Sequence, residues 1–306
     1  MDIIKNFKRN KTAFLASILK RVPFLFKDDE LYLKLLFLFE MHYWPDLKHP
    51  KTFNEKIQWL KLHNRKPEFT TMVDKYAVKK YVADRIGEQY IIPTLGVWDS
   101  FDQIDFDSLP NQFVLKTTHG GGGLAVVICK DKKTFDMRRA KRILEKSLHS
   151  DIYMKYREWP YKDVPKRIIA EKFMADESIE NRGGLTDYKF YCFNGKAYKV
   201  MLCLDRNTGN TKFYSFDKQW NLLRHNKMGI AAPKDFTLPK PAKMDEMFNL
   251  AERLSQDIPL LRVDLYYVNG RIYFGEMTFF PDSGLDANII REIDELYGSM
   301  IKLPNN

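Results

Sequence analysis

One stretch of the chain constrains its folding more than any other. Phe113-Val114-Leu115-Lys116-Thr117-Thr118-His119 runs into four consecutive glycines, Gly120, Gly121, Gly122 and Gly123, and then into Leu124-Ala125-Val126-Val127-Ile128-Cys129. Both flanks are apolar and β-branched, so the pattern predicts a strand, a glycine loop and a second strand. Gly120, Gly122 and Ala125 satisfy the spacing G-x-G-x-x-A. A dinucleotide fingerprint needs a helix next, and a strand follows instead. Glycines let a backbone approach a ligand closely and offer amide donors to phosphate oxygens. Lys116, on the preceding strand, can supply a point charge to the same phosphates. The competing reading is a flexible hairpin with a surface lysine. Four glycines in a row are entropically costly for a mere turn, which favours the phosphate reading.

A second constellation lies near the end of the chain. Leu261-Arg262-Val263-Asp264-Leu265-Tyr266 and Phe274-Gly275-Glu276-Met277-Thr278 flank Asn269-Gly270, a hairpin signal. Isolated carboxylates in apolar strands are expensive unless neutralised. Two on adjacent strands suggest a divalent metal, and magnesium uses one or two carboxylates together with phosphate oxygens. Arg262 could pair a transferring phosphoryl group. Register decides whether this works. With a two-residue turn, Val268 pairs with Arg271 and Asp264 faces away from Glu276. With a three-residue turn and a glycine bulge, Arg262, Asp264, Glu276 and Thr278 share one face, opposite Val263, Leu265, Gly275 and Met277. The second register is expected; the alternative is a surface ion-pair face.

At 306 residues the chain is long enough for about two domains of roughly 150 residues each. The segment 1–70 reads as helices. Asp28 or Asp29 can cap a helix carrying Leu31, Leu35, Leu36 and Phe39, and Thr52-Phe53-Asn54-Glu55 is a capping box. A third helix is expected over Thr71 to Ile86. Strands follow at Tyr90–Val97, Gln112–Thr118, Leu124–Cys129 and Arg167–Met174, with a helix at Thr134–Leu148. Asp187–Phe193 and Lys196–Leu204 flank a second hairpin signal, Asn194-Gly195. Thr211–Phe216 and Trp220–Arg224 extend a meander. Helices are expected at Ala242–Gln256 and Leu285–Met300. The fold class is therefore α+β, rich in antiparallel hairpins.

Composition narrows the classes. Apolar residues make up 44% and charged ones 29%. That balance excludes a disordered tail protein, a collagen-like chain and a disulfide-dense mini-protein. No run approaches the ~18 apolar residues of a transmembrane helix. The N-terminus lacks a signal peptide's apolar core and cleavage site, so a cytoplasmic location is expected. Cys129, Cys192 and Cys203 are odd in number and fit no CxxC spacing, which reads as buried, reduced thiols. The net charge of +10 attracts polyanions without choosing among them. Residues 1–21 hold six basic side chains and one acidic one, with Ile4, Phe7, Phe14, Leu15, Ile18 and Val22 at roughly helical spacing. Such a helix can lie at an anionic membrane, although packing on its own domain is the favoured expectation. Asp105-Phe106-Asp107 matches the D-x-D of many glycosyltransferases but sits between a turn and Leu109-Pro110 rather than after an apolar strand. The six histidines show no metal-ligand spacing; His119 stands out only because it borders the glycines.

Taken in order, these pieces resemble the ATP-grasp fold, and within it the teichuronopeptide-synthesis (TupA-like) branch. The stretches that carry the resemblance are Phe53-Asn54-Glu55-Lys56-Ile57-Gln58-Trp59-Leu60, Asp74-Lys75, Phe113 to Gly123, Asp187-Tyr188-Lys189-Phe190, and Gly275-Glu276-Met277-Thr278-Phe279-Phe280-Pro281. They fall within a match that runs from about position 30 to position 300.

The resemblance implies two subdomains closing on ATP, at 71–166 and 167–306, with a helical N-terminal extension over 1–70. It implies that Lys75 and Lys116 contact the α- and β-phosphates and that Gly120 to Gly123 form the mobile phosphate lid. Glu171, Lys172 and Phe173 would form the hinge whose backbone meets adenine. Asp264 and Glu276 would hold Mg2+, and Arg262 the γ-phosphate, so Arg262 and Lys189 are the catalytic candidates. Thr278 stands where most ATP-grasp enzymes have a metal-binding asparagine; a hydroxyl can still reach the metal. The implied activity is an ATP- and Mg2+-dependent carboxylate–amine ligation through an acyl phosphate, in cell-surface polysaccharide biosynthesis. Its expected partners are ATP, an acidic sugar or lipid-linked glycan precursor, and an amine or amino acid. No nucleic acid is expected, and any membrane contact would be peripheral, at the inner surface through residues 1–22. The competing readings are a glycosyltransferase dependent on Asp105 and Asp107, an ATP-grasp kinase, and a basic adaptor of membranes or nucleic acid.

Overall fold

The computed structural model describes residues 2–121, 125–175, 185–205 and 209–304, with side chains from residue 11 onward. The chain opens with three helices, α1 (Asp2–Leu19), α2 (Asp29–Met41) and α3 (Phe53–His63). Asp28 Oδ1 accepts from the amides of Glu30 and Leu31 and so caps α2. Thr52 and Glu55 complete the expected capping box of α3 reciprocally, through Oγ1 and Oε2. Ala16 and Leu19 of α1 pack on Tyr32, Leu33 and Leu36 of α2 in a small cluster of their own. Helix α3 instead contributes Phe53, Ile57 and Leu60 to the main core. The expected extension over 1–70 is thus two different things, a packed pair of helices and a core element.

The single helix expected over Thr71–Ile86 is broken into α4 (Glu68–Val73) and α5 (Ala77–Ile86). Asp74 turns extended, and its Oδ1 accepts from the Tyr76 and Ala77 amides, starting a new helix. Lys75 is held in the break, its amide donating to the Thr118 carbonyl at 3.0 Å.

Strands β1 (Thr94–Trp98), β2 (Phe113–Thr117), β3 (Val126–Cys129) and β4 (Ile168–Lys172) form an antiparallel sheet in the order β1-β4-β2-β3. Helix α6 (Met137–Leu148) buries Ala140 and Leu144 against Phe113, Leu115, Ile168 and Ala170. Strand β4, expected to open the second subdomain at residue 167, completes this first sheet instead. A short helix, α7 (Ile152–Tyr156), precedes it and had no periodic signal.

The second sheet holds β5 (Asp187–Phe193), β6 (Lys196–Leu204), β7 (Lys212–Phe216), β8 (Leu222–Leu223), β9 (Leu260–Val268) and β10 (Arg271–Thr278). Their order is β10-β9-β5-β6-β7-β8. One face is apolar. Phe190, Val263 and Leu265 meet Met247, Phe248 and Ala251 of α9 (Met244–Leu254), with Phe190 and Phe248 edge-to-face at 5.0 Å. Helices α8 (Lys227–Ala231) and α10 (Arg291–Met300) complete the fold. The helix expected from Leu285 starts only at Arg291, because the Asp286 amide donates to Asn54 Oδ1 and Ile289 forms a β-bridge with Asn226. All three cysteines are buried and free, as the odd count suggested.

Hairpin β9–β10 corrects one expectation. Val268 pairs with Arg271, so Asn269-Gly270 is a clean two-residue turn with φ of 49° and 76°. Parity changes further along, where Phe274 pairs with Leu265 and Glu276 pairs with Asp264. Gly275 is left as a bulge. A Cβ on Gly275 would come within 2.9 Å of the Asp264 carbonyl oxygen, so the bulge needs a residue without one.

Candidate active site

The bulge brings four polar side chains to one face. Arg262 donates to Asp264 through Nε at 2.7 Å and Nη2 at 2.8 Å. That is a bidentate pair. Nη2 also donates to Glu276 Oε1 at 3.1 Å and to Thr278 Oγ1 at 2.9 Å. Lys189, opposite Asp264 on β5, donates from Nζ to Asp264 Oδ2 at 2.5 Å. Burial alone would raise the Asp264 pKa, but Arg262 and Lys189 together outweigh it and hold the carboxyl at about 2. Asp264 therefore already accepts from three donors, while Glu276, a third exposed, keeps open lone pairs.

Lys75 links this hairpin to the glycine loop. Its Nζ donates to the Gly120 carbonyl and lies 3.9 Å from Glu276 Oε2. Burial lowers its pKa, against the pull of Glu276. Gly120 is packed tightly, and a Cβ there would sit 2.5 Å from Thr117 Oγ1. Gly121 is described; the expected lid residues Gly122 and Gly123 lie outside the described residues. His119 is buried, with Nε2 2.9 Å from the Ser147 carbonyl and Nδ1 without a partner among the described residues.

The Glu171 side chain has a part of its own. Its side chain is buried and bridges two lysines, Lys116 Nζ at 2.6 Å from Oε2 and Lys79 Nζ at 2.6 Å from Oε1. Burial raises its pKa, and the two lysines more than reverse this. Strand β4 is paired on both edges through Lys172, whose amide donates to the Pro93 carbonyl. The Lys172 amide is thus used by the sheet, and Phe173 is the first of the expected hinge residues beyond β4. Lys79 carried no sequence signal that distinguished it from the other lysines of a solvated helix face.

A second group was missed. After β10 the chain turns with Asp282, Ser283 and Gly284 at φ of 48°, 55° and 64°. Two successive non-glycine residues in the left-handed region are strained and persist only when the surroundings over-determine them. Helix α3 does this. Asn54 Oδ1 accepts from the Asp286 amide, Gln58 Nε2 donates to the Ser283 and Gly284 carbonyls, and Lys61 Nζ donates to the Ser283 carbonyl. These residues are three and four apart, so they share one helix face. Ser283 Oγ donates to the buried Glu158 carboxylate, whose pKa burial raises. The i, i+4, i+7 polar row was legible; its partner turn, near the other end of the chain, was not.

Asp105, by contrast, is exposed and accepts from the Asp107 and Ser108 amides in a local turn. That turn accounts for the D-x-D motif without a ligand.

Residues 55–302 match the family described as TupA-like ATPgrasp. The chain belongs to that family. No curated protein matches it. Among solved structures, this TupA-like ATP-grasp chain is similar to D-alanine–D-alanine ligase from Helicobacter pylori. Identity is 14%, TM-score 0.40, and coverage 76% of this chain and 61% of that one. It is also similar to N5-carboxyaminoimidazole synthetase from Staphylococcus aureus in complex with ADP, at 14% identity and TM-score 0.41, covering 90% and 58%. The ATP-grasp ligase PsnB with a phosphomimetic variant of its minimal precursor, Mg and ADP gives 9% identity and TM-score 0.42, covering 81% and 65%. The chain spans less than two thirds of the length of each of these proteins.

The donor set fits a magnesium ion. Two carboxylates and a hydroxyl converge around the Arg262 guanidinium. Magnesium with nucleotide phosphates asks for one or two carboxylates. Among the described residues no group of three or more His, Cys, Asp or Glu could hold a metal by itself, so phosphate oxygens would complete the shell.

Proposed function

We propose that the chain is an ATP- and magnesium-dependent ligase that joins a carboxylate to an amine in cell-surface polysaccharide assembly, a sugar acid receiving an amino acid or amine. The single observation that carries this reading is Lys75, which touches the glycine loop at Gly120 and approaches the Glu276 carboxylate. A triphosphate lying along that line meets the loop amides, Lys75, Lys116 and the metal carboxylates in turn. Magnesium, bound by Glu276 and Asp264 with Thr278 in reach, would supply charge neutralisation on the phosphates. For Asp264 to reach it, Arg262 or Lys189 turns from the carboxylate toward the γ-phosphate. Glu171 bridges Lys116 and Lys79 and so keeps a buried cation pair in place before nucleotide arrives.

In this reading the substrate carboxylate attacks the γ-phosphorus and ADP leaves. The amine then attacks the acyl carbon and phosphate leaves, its basic oxygen taking a proton from the nitrogen. Pre-placed cations do most of the work, because there is little covalent chemistry for the chain itself to perform.

The test is a thermal-shift screen with nucleotides and Mg2+, followed by ADP release in the presence of hydroxylamine. ATP stabilisation and a hydroxamate product support the ligase. ADP release without hydroxamate favours a kinase, and stabilisation by sugar nucleotides alone favours a sugar transferase. Lys116→Ala should weaken ATP binding by ~10–150-fold, the loss of one charge-assisted contact. Lys172→Ala should be mild, since that side chain is exposed.

The location proposed is cytoplasmic, with peripheral contact at an anionic membrane. Phe14, Phe24 and Leu25 are exposed beside Arg21 and Lys27, the combination that binds such an interface. No helix among the described residues is long and apolar enough to cross a membrane. Sedimentation with phosphatidylglycerol vesicles, lost in Phe14→Ser with Phe24→Ser, tests the contact.

A further inference from the structure

The row of residues that carries Arg262 does not stop at the metal hairpin. Thr278 pairs with Arg262, Arg262 with Tyr191 on β5, and Tyr191 with Lys199 on β6. Cross-strand partners point to the same side of a sheet, so Lys199 stands on the face of Arg262, two strands away and about 10 Å along the sheet. It is 5% exposed. Its Nζ sits 4.2 Å from the centre of the Tyr191 ring and 4.6 Å from that of Tyr297. Among the described residues no oxygen accepts a hydrogen bond from it.

An ammonium so largely withdrawn from water, with no acceptor among the described residues, is costly. Ring faces stabilise the charge but do not satisfy the N–H groups. Burial drives the Lys199 pKa down to about 7 in spite of Asp286 and Asp282, the acidic groups nearest to it. Asp282 opens the strained turn that α3 braces, and Asp286 follows it. Among the described residues, Asp286 accepts only from Asn288, and Asp282 is exposed with no hydrogen bond to its carboxylate. His225, also facing Lys199, is committed to the Tyr297 hydroxyl at 2.7 Å. Donors at Lys199 and acceptors at Asp282 and Asp286 are thus not taken up by other protein groups among the described residues, on the same face as the metal residues. A ligand that satisfies both needs an anionic acceptor and a cationic donor close together. The smallest group with both on one carbon is an α-amino acid.

We propose that Lys199, Asp282 and Asp286 form the head-group site for an α-amino acid substrate, its carboxylate at Lys199 Nζ and its ammonium at the two aspartates. The Tyr191 and Tyr297 rings wall the site, and the braced turn fixes the aspartates. This rests on the ligase reading and narrows its amine to an amino acid.

The test is calorimetric titration of the full chain, with and without AMP-PNP and Mg2+. The probes are the twenty common L-amino acids and D-alanine, then the decarboxylated amine and the N-acetyl derivative of any that binds, then glucuronate and glucosamine. The expected result is at least one amino acid that binds, with both derivatives at least tenfold weaker. Lys199→Met and Asp286→Asn should each weaken it at least tenfold while circular dichroism remains that of the parent chain; if one variant does not fold, the other carries the test. No amino acid binding under either condition overturns the proposal. So does binding that both variants retain, or Lys199-dependent binding of glucuronate as tight as any amino acid. The nucleotide titration separates the two readings. AMP-PNP binding without amino acid binding sinks only the head-group site. Lys199-dependent amino acid binding without any nucleotide binding sinks the ligase and leaves the site.

Discussion

Gln58 Nε2 donates to the carbonyl oxygen of Ser283 at 2.9 Å and to that of Gly284 at 2.8 Å, joining α3 to the turn after β10. Gln58 and Ser283 are 225 residues apart, and the contact lies in a buried seam. Gly284 is shaped to this contact: its φ is positive, and a Cβ there would come within 2.5 Å of Gln58 Nε2. Gln58→Ala strips a partner from two buried carbonyls, and Lys61 still serves only Ser283. The expected loss is about 2–3 kcal/mol, at the usual cost of unsatisfied buried groups. Urea denaturation checks it, as a lower midpoint at unchanged slope; a change under ~0.5 kcal/mol would mean that water replaces the amide.

Gly275 makes a sharper, local prediction. Alanine there meets the Asp264 carbonyl at 2.9 Å and the Tyr266 ring at 3.0 Å, so the bulge must shift. A one-residue slip turns Glu276 toward the apolar face of Val263 and Leu265. Gly275→Ala should lower the magnesium-dependent part of ADP affinity at least tenfold and leave the magnesium-free part within threefold. Titrations with Mg2+ and with EDTA read both quantities; equal losses in the two would remove the bulge from the metal site.

Glu171 predicts a pH signature. In Glu171→Gln, Lys79 and Lys116 lose a shared buried counter-charge. That should cost about 2–4 kcal/mol at pH 7. The folded-state pKa of Glu171 is lowered, so its contribution is present above the ordinary carboxylate pKa and is lost as pH falls through the folded value. The gap between parent and variant should therefore narrow as pH falls below the ordinary carboxylate range and the parent's own carboxyl takes up its proton. Denaturation curves at pH 7 and at pH 3.5 test this, and a gap that stays open at low pH would point to packing rather than charge.

Much of this fold was legible because its signals are local. The Thr52–Glu55 box, the Asn194-Gly195 and Asn269-Gly270 turns and the strand–glycine–strand stretch each depend on a few neighbouring residues. The shared face of Arg262, Asp264, Glu276 and Thr278 was also legible, because charge burial allows only one register. The device behind it was not. A turn bulge and a bulge at Gly275 give the same parity, and only packing against Asp264 and Tyr266 chooses between them. The break at Asp74 was hidden by a periodic apolar pattern that runs through it. Lys79 and Lys199 were illegible for a simpler reason: a lysine's neighbours in a sheet or across a cleft lie far away in sequence.

Lys199 carries the last prediction, and it concerns stability rather than binding. Its ordinary pKa is 10.5, and burial lowers this to about 7 in the folded chain. Between those values the unfolded chain holds a proton that the folded chain does not, so stability rises with pH across the window. Of the titratable groups facing Lys199, burial with Lys199 holds His225 at about 4, below this window, and burial pushes the Tyr191 and Tyr297 phenols up beyond it. The lysine is thus a net cost to folding at pH 7 and a smaller one at pH 10. Lys199→Met keeps the volume between Tyr191 and Tyr297 without the charge. It should stabilise the chain by about 1–3 kcal/mol at pH 7, as apolar replacements of buried charges often do. The gain should shrink toward zero by pH 10, in guanidinium denaturation at the two pH values. A residue retained at such a cost fits a site used for something other than folding. If the methionine chain is instead the less stable one at pH 7, the two tyrosine rings repay the burial of the ammonium, and Lys199 is a structural lysine.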